Sequence, residues 1–257
     1  MLNQIDVQDI VAIAKEAGNA IMKIYGRDFV VEYKQDDSPL TLADKKANDI
    51  IEDGLNQLSV NFPILSEEGK ETPYESRKHW EYFWLVDPLD GTKEFVKKNG
   101  EFTVNIALIH KDTPVLGVVY APALDVCYWA KQGEGAFKDG QKLPLKISDQ
   151  RNTYKIVASR SHMSDETQAF IDAIDTQKEK ELISIGSSLK ICLIAEGEAD
   201  IYPRLGPTME WDTGAAHAIV CESDCGLTTY TPNNIEKKHV YNKKDLLNEW
   251  FLVKSLN

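Results

Sequence analysis

The feature that most constrains this chain is an apolar run that ends in two carboxylates. Residues Tyr82–Val86 form an unbroken apolar segment of strand length, and Asp87, Pro88, Leu89 and Asp90 follow at once. Proline has no N–H for the hydrogen-bond ladder, so we expect the chain to leave the sheet with Asp87 at the strand end and Asp90 in the turn. Two carboxylates this close repel each other unless a cation lies between them, and magnesium prefers hard oxygen ligands. The segment therefore predicts a magnesium site.

The same residue types also occur in ordinary turns. Asp, Pro and Gly are frequent turn formers, and a turn alone accounts for the segment from Asp87 to Asp90. The next two residues favour the metal site. Gly91 permits the close approach of a backbone to a ligand, and Thr92 adds a hydroxyl beside free amides, a common way to bind phosphate.

Four motifs resemble those of the inositol monophosphatase superfamily of metal-dependent phosphatases. Residues Asp87–Thr92 are similar to its Asp-Pro-x-Asp-Gly-Thr signature, and Ile64–Glu68 resemble its strand that ends in a metal-binding glutamate. Residues Asp37–Asp44 resemble its Thr-x-x-Asp element, and Glu210–Ala216 resemble its Trp-Asp motif at a helix start. The resemblance covers roughly the whole chain. It implies an α/β fold of the α+β sugar-phosphatase type, a layered αβαβα sandwich of helices and two mixed or antiparallel sheets, with the active site between the two halves.

The resemblance also assigns roles to the residues of these motifs. It implies that two or three magnesium ions are bound by Glu67, Asp87, the carbonyl of Leu89, Asp90 and Asp212. In the same way Asp44 and Thr92 are expected to orient and deprotonate the attacking water, which Glu67 supports through its metal. The amides of Gly91 and Thr92 are expected to bind the phosphate.

Three segments resemble the 3′(2′),5′-bisphosphate nucleotidase branch of the family: Asp90–Phe95, Gly186–Lys190 and Tyr202–Leu205. The resemblance implies hydrolysis of the 3′-phosphate of adenosine 3′,5′-bisphosphate, action on its sulfated parent, and a place in sulfur metabolism. The substrate contacts expected from it are Glu67, Leu89, Asp90, Gly91, Thr92, Ser187, Lys190, Arg204 and Asp212.

The chemistry of two of these contacts fits a second phosphate, although an ordinary interpretation remains open. Lys190 and Arg204 supply positive charge away from the metals, where a second phosphate needs it. Alone, a lysine on a helix and an arginine at a strand end are typical solvated residues. Ser159 and His162 border the nucleoside by the same resemblance, but a helix-capping loop explains them as well.

Other functions remain as alternatives. An inositol or sugar monophosphatase would use the same metal site, and a regulatory binding protein would keep the fold without needing the reaction. The haloacid-dehalogenase class has a similar motif, but a single residue separates its two aspartates. Here Pro88 and Leu89 both lie between them, and the motif is far from the N-terminus, which disfavours that class.

Composition narrows the partners and the compartment. The net charge of −12 disfavours a nucleic-acid groove, which needs a basic stripe, but metals still allow an anionic small substrate. The four cysteines form no Cys-x-x-Cys pair and are expected to be buried thiols of a reducing cytosol. Charges interrupt the N-terminal apolar residues, so neither a signal peptide nor a membrane span is expected. The family resemblance also implies that lithium inhibits the protein, and it allows peripheral association with the inner membrane. The oligomeric state, monomer or homodimer, stays open.

Periodicity in the first half predicts helices, a meander and a loop. Residues Ile5–Tyr25 form an amphipathic helix, the alternation from Phe29 to Tyr33 indicates a strand, and a second helix starts near Thr41. Asp44 then lies in a first turn, where helix capping is its ordinary role. The charged segment Lys70–His79 is typical of a mobile loop. Further along, the pattern predicts a short strand at 62–65 and a three-strand meander at 102–109, 115–120 and 126–130. A hairpin is predicted at 133–140.

The second half alternates strands and helices, which favours an α/β arrangement. A change of composition near residue 150 predicts two lobes, 1–150 and 151–257. The small residues Gly214, Ala215 and Ala216 predict close packing of the helix that follows Asp212, and His217 is expected to be packed rather than catalytic. The predicted elements are strands at 155–158, 182–185, 200–204 and 227–230 and helices at 165–175, 187–196 and 212–221.

Overall fold

The computed structural model describes residues 1–26, 39–145, 151–158, 163–231, 233 and 235–256. A 3₁₀ turn at Leu2–Gln4 precedes the first helix. The predicted strand at Phe29–Tyr33 and the pair Ser159 and His162 lie outside the described residues. The helices are α1 (Val7–Tyr25), α2 (Pro39–Asn56), α3 (Tyr74–Arg77), α4 (Thr92–Val96), α5 (Asp165–Ala173), α6 (Leu189–Glu196) and α7 (Glu210–Cys221).

The first sheet contains the predicted meander. Its strands run in chain order, with the first two parallel and all later neighbours antiparallel. Both faces are covered, which is why these strands read as continuous apolar runs in the sequence. They are β1 (Ile64–Ser66), β2 (Tyr82–Asp90), β3 (Thr103–His110), β4 (Thr113–Ala121), β5 (Val126–Lys131), β6 (Gly135–Lys138) and β7 (Gln141–Lys142).

The second sheet is mixed. Its strands are β8 (Thr153–Val157), β9 (Glu179–Ile183), β10 (Ile201–Arg204), β11 (Cys225–Tyr230), β12 (Glu236–Lys238) and β13 (Phe251–Ser255). They lie in the order β12-β11-β13-β10-β8-β9, and β8 is parallel to both of its neighbours. Strands β12 and β13 were not predicted from the sequence. The second omission matters, because β13 joins β10 to β11.

The elements form the predicted αβαβα sandwich. Helices α1 and α2 pack on one face of the first sheet, α7 packs on the other face, and α6 contacts both α7 and the second sheet. Helix α5 lies on the outer face of that second sheet. Side chains of β2 alternate between the two cores: Trp84 and Val86 pack with α1 and α2, while Phe83 and Leu85 pack with α6 and α7.

Two glycines let α7 approach the first sheet closely. A Cβ on Gly117 of β4 would lie 2.1 Å from the Ala215 carbonyl oxygen, and one on Gly214 would lie 2.9 Å from Leu85 Cδ2. The predicted close packing of this helix is therefore confirmed. The boundary near residue 150 falls between the two sheets, yet α7 packs on the first of them. The division into two lobes stays a prediction.

Two local predictions are wrong. Strand β2 does not end at Asp87 but continues past Pro88 to Asp90, which pairs with Thr103. A register shift between Asp87 and Asp90 allows this, because a bulge leaves a residue outside the ladder. The segment 70–79 is not a simple loop, since it contains α3. Its Arg77 is only 2% exposed and donates hydrogen bonds to the Asn242 side chain and the Lys244 carbonyl.

Composition predicts buried free cysteines and no membrane-spanning helix. Cys127, Cys192 and Cys225 are buried free thiols, as predicted, whereas Cys221 is free but exposed. No helix among the described residues combines the length and the apolar character needed to cross a membrane.

Candidate active site

Three carboxylates from two distant elements meet at the end of β2. Asp87 and Asp90 come from β2 and Asp212 comes from the first turn of α7, and one oxygen of each lies within 4.8 Å of the others. We call these three residues the carboxylate cluster. Grouped carboxylate oxygens are ligands that suit a hard divalent cation. The fold brings them together because β2 and α7 pack directly on each other.

The bulge in β2 shapes the first part of the cluster. Asp87 is 1% exposed, and its Oδ1 accepts a hydrogen bond of 3.0 Å from the Leu89 amide. The Leu89 side chain is buried in the core beneath α1 and α2. If Leu89 binds a ligand, it must therefore do so through its main-chain carbonyl.

Glu67 lies beside the cluster because β1 and β2 are parallel. Ser66 pairs with Val86, and the Glu67 amide continues the pairing with a bond of 3.1 Å to the Val86 carbonyl. Burial raises the pKa of Glu67, the interaction with Asp87 opposes this shift, and the charge of Asp90 adds to it.

Asp44 faces the same region from α2. The helix begins at Pro39, so Asp44 lies beyond its first turn and the capping interpretation is wrong. Asp44 is buried, and its pKa is raised to about 8 by burial first and then by the charges of Glu68 and Glu67. One turn later, Asn48 accepts a hydrogen bond of 2.6 Å from the Ser66 hydroxyl. This bond joins α2 to β1 and thereby fixes the position of Asp44 along α2 relative to Glu67, which follows β1.

The electrostatics of the carboxylate cluster favour a cation. Burial raises the pKa of Asp87 well above its ordinary value, and the charges of Asp90 and Glu67 add to the effect. Burial and Asp90 raise the pKa of Asp212 to about 7. Burial also raises the pKa of Asp90, although Lys190 and Ser188 oppose the shift. A bound divalent cation would remove the mutual repulsion, so the donors present fit a magnesium site.

Gly91 and Thr92 turn the chain directly after the cluster. Gly91 has φ of +94°, which only glycine adopts readily, and it caps the short helix α4. A Cβ there would also lie 3.2 Å from both the Glu101 carbonyl and Phe102 Cα. Thr92 is exposed and lines a cavity of about 400 Å³.

The same cavity holds most of the residues that the sequence assigned to substrate, but Glu67 and Leu89 are not in its lining, and Glu67 lines a separate cavity. Ser187, Lys190 and Arg204 line it together with Asp90 and Asp212. Burial lowers the pKa of Lys190, and the Asp90 charge opposes the shift. We call Lys190 and Arg204 the cationic end of the cavity. A cavity that offers carboxylates for a metal ion and two further cations fits a ligand with more than one anionic group.

Two polar atoms of this cavity are buried without a hydrogen-bond partner in the described part of the chain. They are the Ser187 hydroxyl and Arg204 Nε, although Arg204 Nη2 donates a bond of 2.7 Å to the Pro207 carbonyl. Ser187 also has φ of +49°, an uncommon value for a residue other than glycine. Buried polar groups without partners are costly, which favours a ligand that would pair with them.

Sequence reasoning missed two residues of the site. Ser188 Oγ lies 3.0 Å from Asp90 Oδ2 and 2.8 Å from the Asp212 carbonyl. Asn105 of β3 donates to that hydroxyl at 2.8 Å. A signal existed for Asn105, since it is an amide within an otherwise apolar strand, Val104 to Ile109. Nothing local distinguished Ser188 from its neighbour Ser187.

His217 is packed, as predicted. Its Nδ1 lies 3.0 Å from the Tyr241 hydroxyl, and the residue is buried on α7 away from the cavity lining. Burial lowers the pKa of His217 to about 3, so the ring is neutral. It supports the helix that holds Asp212.

Comparisons with known proteins agree on one family. A model described as the inositol monophosphatase family matches residues 2–255. The 3′(2′),5′-bisphosphate nucleotidase CysQ of Salmonella typhimurium is 50% identical over 217 residues, which is 83% of this chain and 86% of that protein. The same enzyme of Buchnera aphidicola is 46% identical over 231 residues, covering 88% of this chain and 85% of that protein.

Solved structures agree as well. The crystal structure of CysQ from Bacteroides thetaiotaomicron, a bacterial member of the inositol monophosphatase family, superposes with a TM-score of 0.89 at 42% identity. The match covers 99% of this chain and 98% of that one. The inositol monophosphate complex of SaIMPase-II gives a TM-score of 0.71 at 23% identity, covering 96% of this chain and 87% of that one, and shows the shared fold alone.

Proposed function

The chain belongs to the inositol monophosphatase family, and from this premise we propose that it is a magnesium-dependent bisphosphate nucleotidase. It hydrolyses the 3′-phosphate of adenosine 3′,5′-bisphosphate to AMP and phosphate, and it acts on the sulfated parent of that nucleotide. One observation carries the proposal: Asp90 and Asp212 of the carboxylate cluster line the same cavity as Lys190 and Arg204. The curated relatives that support it are named 3′(2′),5′-bisphosphate nucleotidases.

Five residues would hold two or three magnesium ions: Glu67, Asp87, the Leu89 carbonyl, Asp90 and Asp212. The donor set supports this assignment, because all five offer oxygen and the carboxylates of Asp87, Asp90 and Asp212 lie close together. Asp87 is buried, Asp90 and Asp212 are half-buried, and Glu67 is exposed beside them. Magnesium supplies charge neutralisation of the phosphoryl oxygens and acidifies a bound water when it is present. The chain's own part is to fix the ligands, and the packing of β2 against α7 does so.

Asp44 and Thr92 orient the attacking water, and Glu67 supports it from the adjacent strand end. Burial and neighbouring carboxylates raise the pKa of Asp44 to about 8 in the metal-free chain. Magnesium at the cluster would lower this pKa, so that the carboxylate could accept a proton from water near neutral pH. Thr92 holds the water through its exposed hydroxyl. Direct attack by water requires no His, Cys or Ser nucleophile on the protein.

The scissile phosphate is bound by the amides of Gly91 and Thr92, which start α4 and lack earlier partners within that helix. The remainder of the nucleotide fills the cavity, where Ser187 contacts it and Lys190 and Arg204 neutralise the second phosphate. The cavity of about 400 Å³ is of the size that small-ligand sites have.

Phosphate release with magnesium tests the substrate. Adenosine 3′,5′-bisphosphate and inositol 1-phosphate are compared at equal concentration. We expect a strong preference for the nucleotide, because only it presents a second phosphate to the cationic end. A preference for the inositol ester would overturn the contacts of Ser187, Lys190 and Arg204 and leave the metal assignment in place.

A further inference from the structure

The Ser188 hydroxyl lies between the two elements that build the carboxylate cluster. It is 3.0 Å from Asp90 Oδ2 on β2 and 2.8 Å from the Asp212 carbonyl on α7. Ser188 itself precedes α6 and is 3% exposed. One side chain thus touches a proposed magnesium ligand from the first sheet and the backbone of another from the second half.

This hydroxyl does not do what a serine at this position usually does. Ser188 is the N-cap residue of α6, where a serine side chain normally accepts a hydrogen bond from an amide of the first helical turn. In this chain the Ser188 side chain makes no such bond. The Ser188 hydroxyl does not cap α6 and instead contacts the Asp90 carboxylate and the Asp212 carbonyl.

The Ser188 hydroxyl has more neighbours that can accept a hydrogen bond than it has protons. A serine hydroxyl has one proton and accepts through its oxygen. Asn105 donates to that oxygen at 2.8 Å, so the single proton points to Asp90 or to the Asp212 carbonyl. Asn105 also approaches the Asp90 carboxylate, at 3.5 Å. Asp90 therefore meets polar groups from the start of α6 and from β3 together.

We propose that Ser188 is a positioning residue that fixes Asp90 against the first turn of α7. It thereby sets the separation of the two carboxylates that bind magnesium, and Asn105 orients its hydroxyl. The proposal rests on the proposed function and deepens it. It places the determinant of metal affinity on the loop that also carries Ser187, so one turn of chain serves both the metals and the nucleotide.

The test is Ser188→Ala, with magnesium binding to the substrate-free protein measured by calorimetry and by the magnesium-induced shift in thermal unfolding. Loss of a residue that orients a metal ligand lowers metal affinity about tenfold or more. We expect that loss, with an equal rise in the magnesium concentration for half-maximal activity. At saturating magnesium, kcat stays within about twofold of the wild type, since the ligands themselves remain.

Ser223→Ala is the matched control. Ser223 is equally buried and donates a hydrogen bond of 3.0 Å to the Val220 carbonyl at the end of α7, away from the cavity lining. Its loss should lower thermal stability without changing magnesium affinity. Ser188→Thr keeps a hydroxyl and should restore binding. If Ser188→Ala does not fold, Ser188→Cys replaces it, because a thiol has similar size but is a weak donor.

Wild-type magnesium affinity in Ser188→Ala, or in Ser188→Cys, would overturn the proposal and leave Ser188 a purely structural role. That outcome is distinct from failure of the proposed function. If the wild-type protein binds magnesium but does not hydrolyse the bisphosphate, the substrate assignment fails, while the magnesium titrations still decide the role of Ser188.

Discussion

Two members of the carboxylate cluster, Asp90 and Asp212, line the same cavity as the cationic end, but the cluster and the cationic end are held in different ways. Asp87 and Asp90 are fixed by a strand with partners on both sides, and Asp212 by a helix that touches the sheet at Gly117. Lys190 and Arg204 reach the cavity on long side chains. Lys190 Nζ meets the Ile185 carbonyl only at 3.4 Å, and Arg204 Nε has no partner among the described residues.

This difference in support suggests that the carboxylate cluster determines the reaction and the cationic end determines substrate selectivity. Backbone pairing and the packing of α7 place the cluster, and the Ser188 side chain refines the separation of Asp90 and Asp212. The cationic end depends on two side chains, so it can change without disturbing β2 or α7. We therefore expect substitutions at the two ends to have different kinetic signatures.

The largest effect is expected at the cluster. Asp90→Asn removes a metal-binding charge, and the loss of several kcal/mol of transition-state stabilisation lowers kcat by about a thousandfold or more. Circular dichroism should show an unchanged fold, because the amide has the shape of the carboxylate. Asp49→Asn, on the exposed face of α2, is the matched control and should retain full activity. Substantial turnover by Asp90→Asn would remove Asp90 from the metal site.

A smaller loss is expected at Asp44, which acts on water rather than on the metals. Asp44→Asn should lower kcat by about a hundredfold or more, the range of a general base, while the magnesium requirement changes little. Steady-state kinetics over a magnesium series separates the two parameters. If the variant instead needed far more magnesium at unchanged kcat, Asp44 would be a metal-binding residue, and the proposed division of roles would be wrong.

The smallest effect concerns stability. Burial and neighbouring carboxylates raise the pKa of Asp212 to about 7 and that of Asp44 to about 8, from 3.8. The folded state then holds more protons than the unfolded state between about pH 4 and about pH 8, so metal-free stability falls as the pH rises through this window. Magnesium neutralises the cluster and should reverse the fall.

Thermal unfolding at pH 6 and pH 8, with chelator and with magnesium, measures this effect. We expect a lower midpoint at pH 8 in chelator and a larger magnesium-induced rise at pH 8 than at pH 6. Asp212→Asn should flatten the chelator curve. An equal magnesium effect at both pH values would show that the cluster does not retain protons in the metal-free protein.

The sequence predicted the layered fold and the parts of the site that depend on local pattern. Asp87 and Asp90 were found because an apolar strand leads directly into them. The same reasoning misplaced the end of β2, because a bulge is a property of two paired strands and leaves no mark at Pro88. It also treated Arg77 as part of a mobile loop, although the residue is buried against a segment more than 160 residues later.

What the sequence could not show are contacts between elements that are distant in the chain. Strand β13 is a short apolar run whose place between β10 and β11 follows from the whole sheet. Ser188 looks like an ordinary helix cap, and only the packing of α6 beside β2 and α7 gives it Asp90 as a partner. The roles of the site residues stay predictions until the variants are measured.

The most direct test of the two-ended cavity is a ratio of specificities. The kcat/KM for adenosine 3′,5′-bisphosphate is divided by that for adenosine 3′-monophosphate in the wild type, in Arg204→Gln, and in the control Arg151→Gln, which lies outside the cavity lining. A lost charge-assisted hydrogen bond corresponds to about tenfold or more, so the ratio should fall by that factor in Arg204→Gln alone, with the monophosphate rate preserved. An unchanged ratio would contradict the assignment of this end of the cavity to the second phosphate.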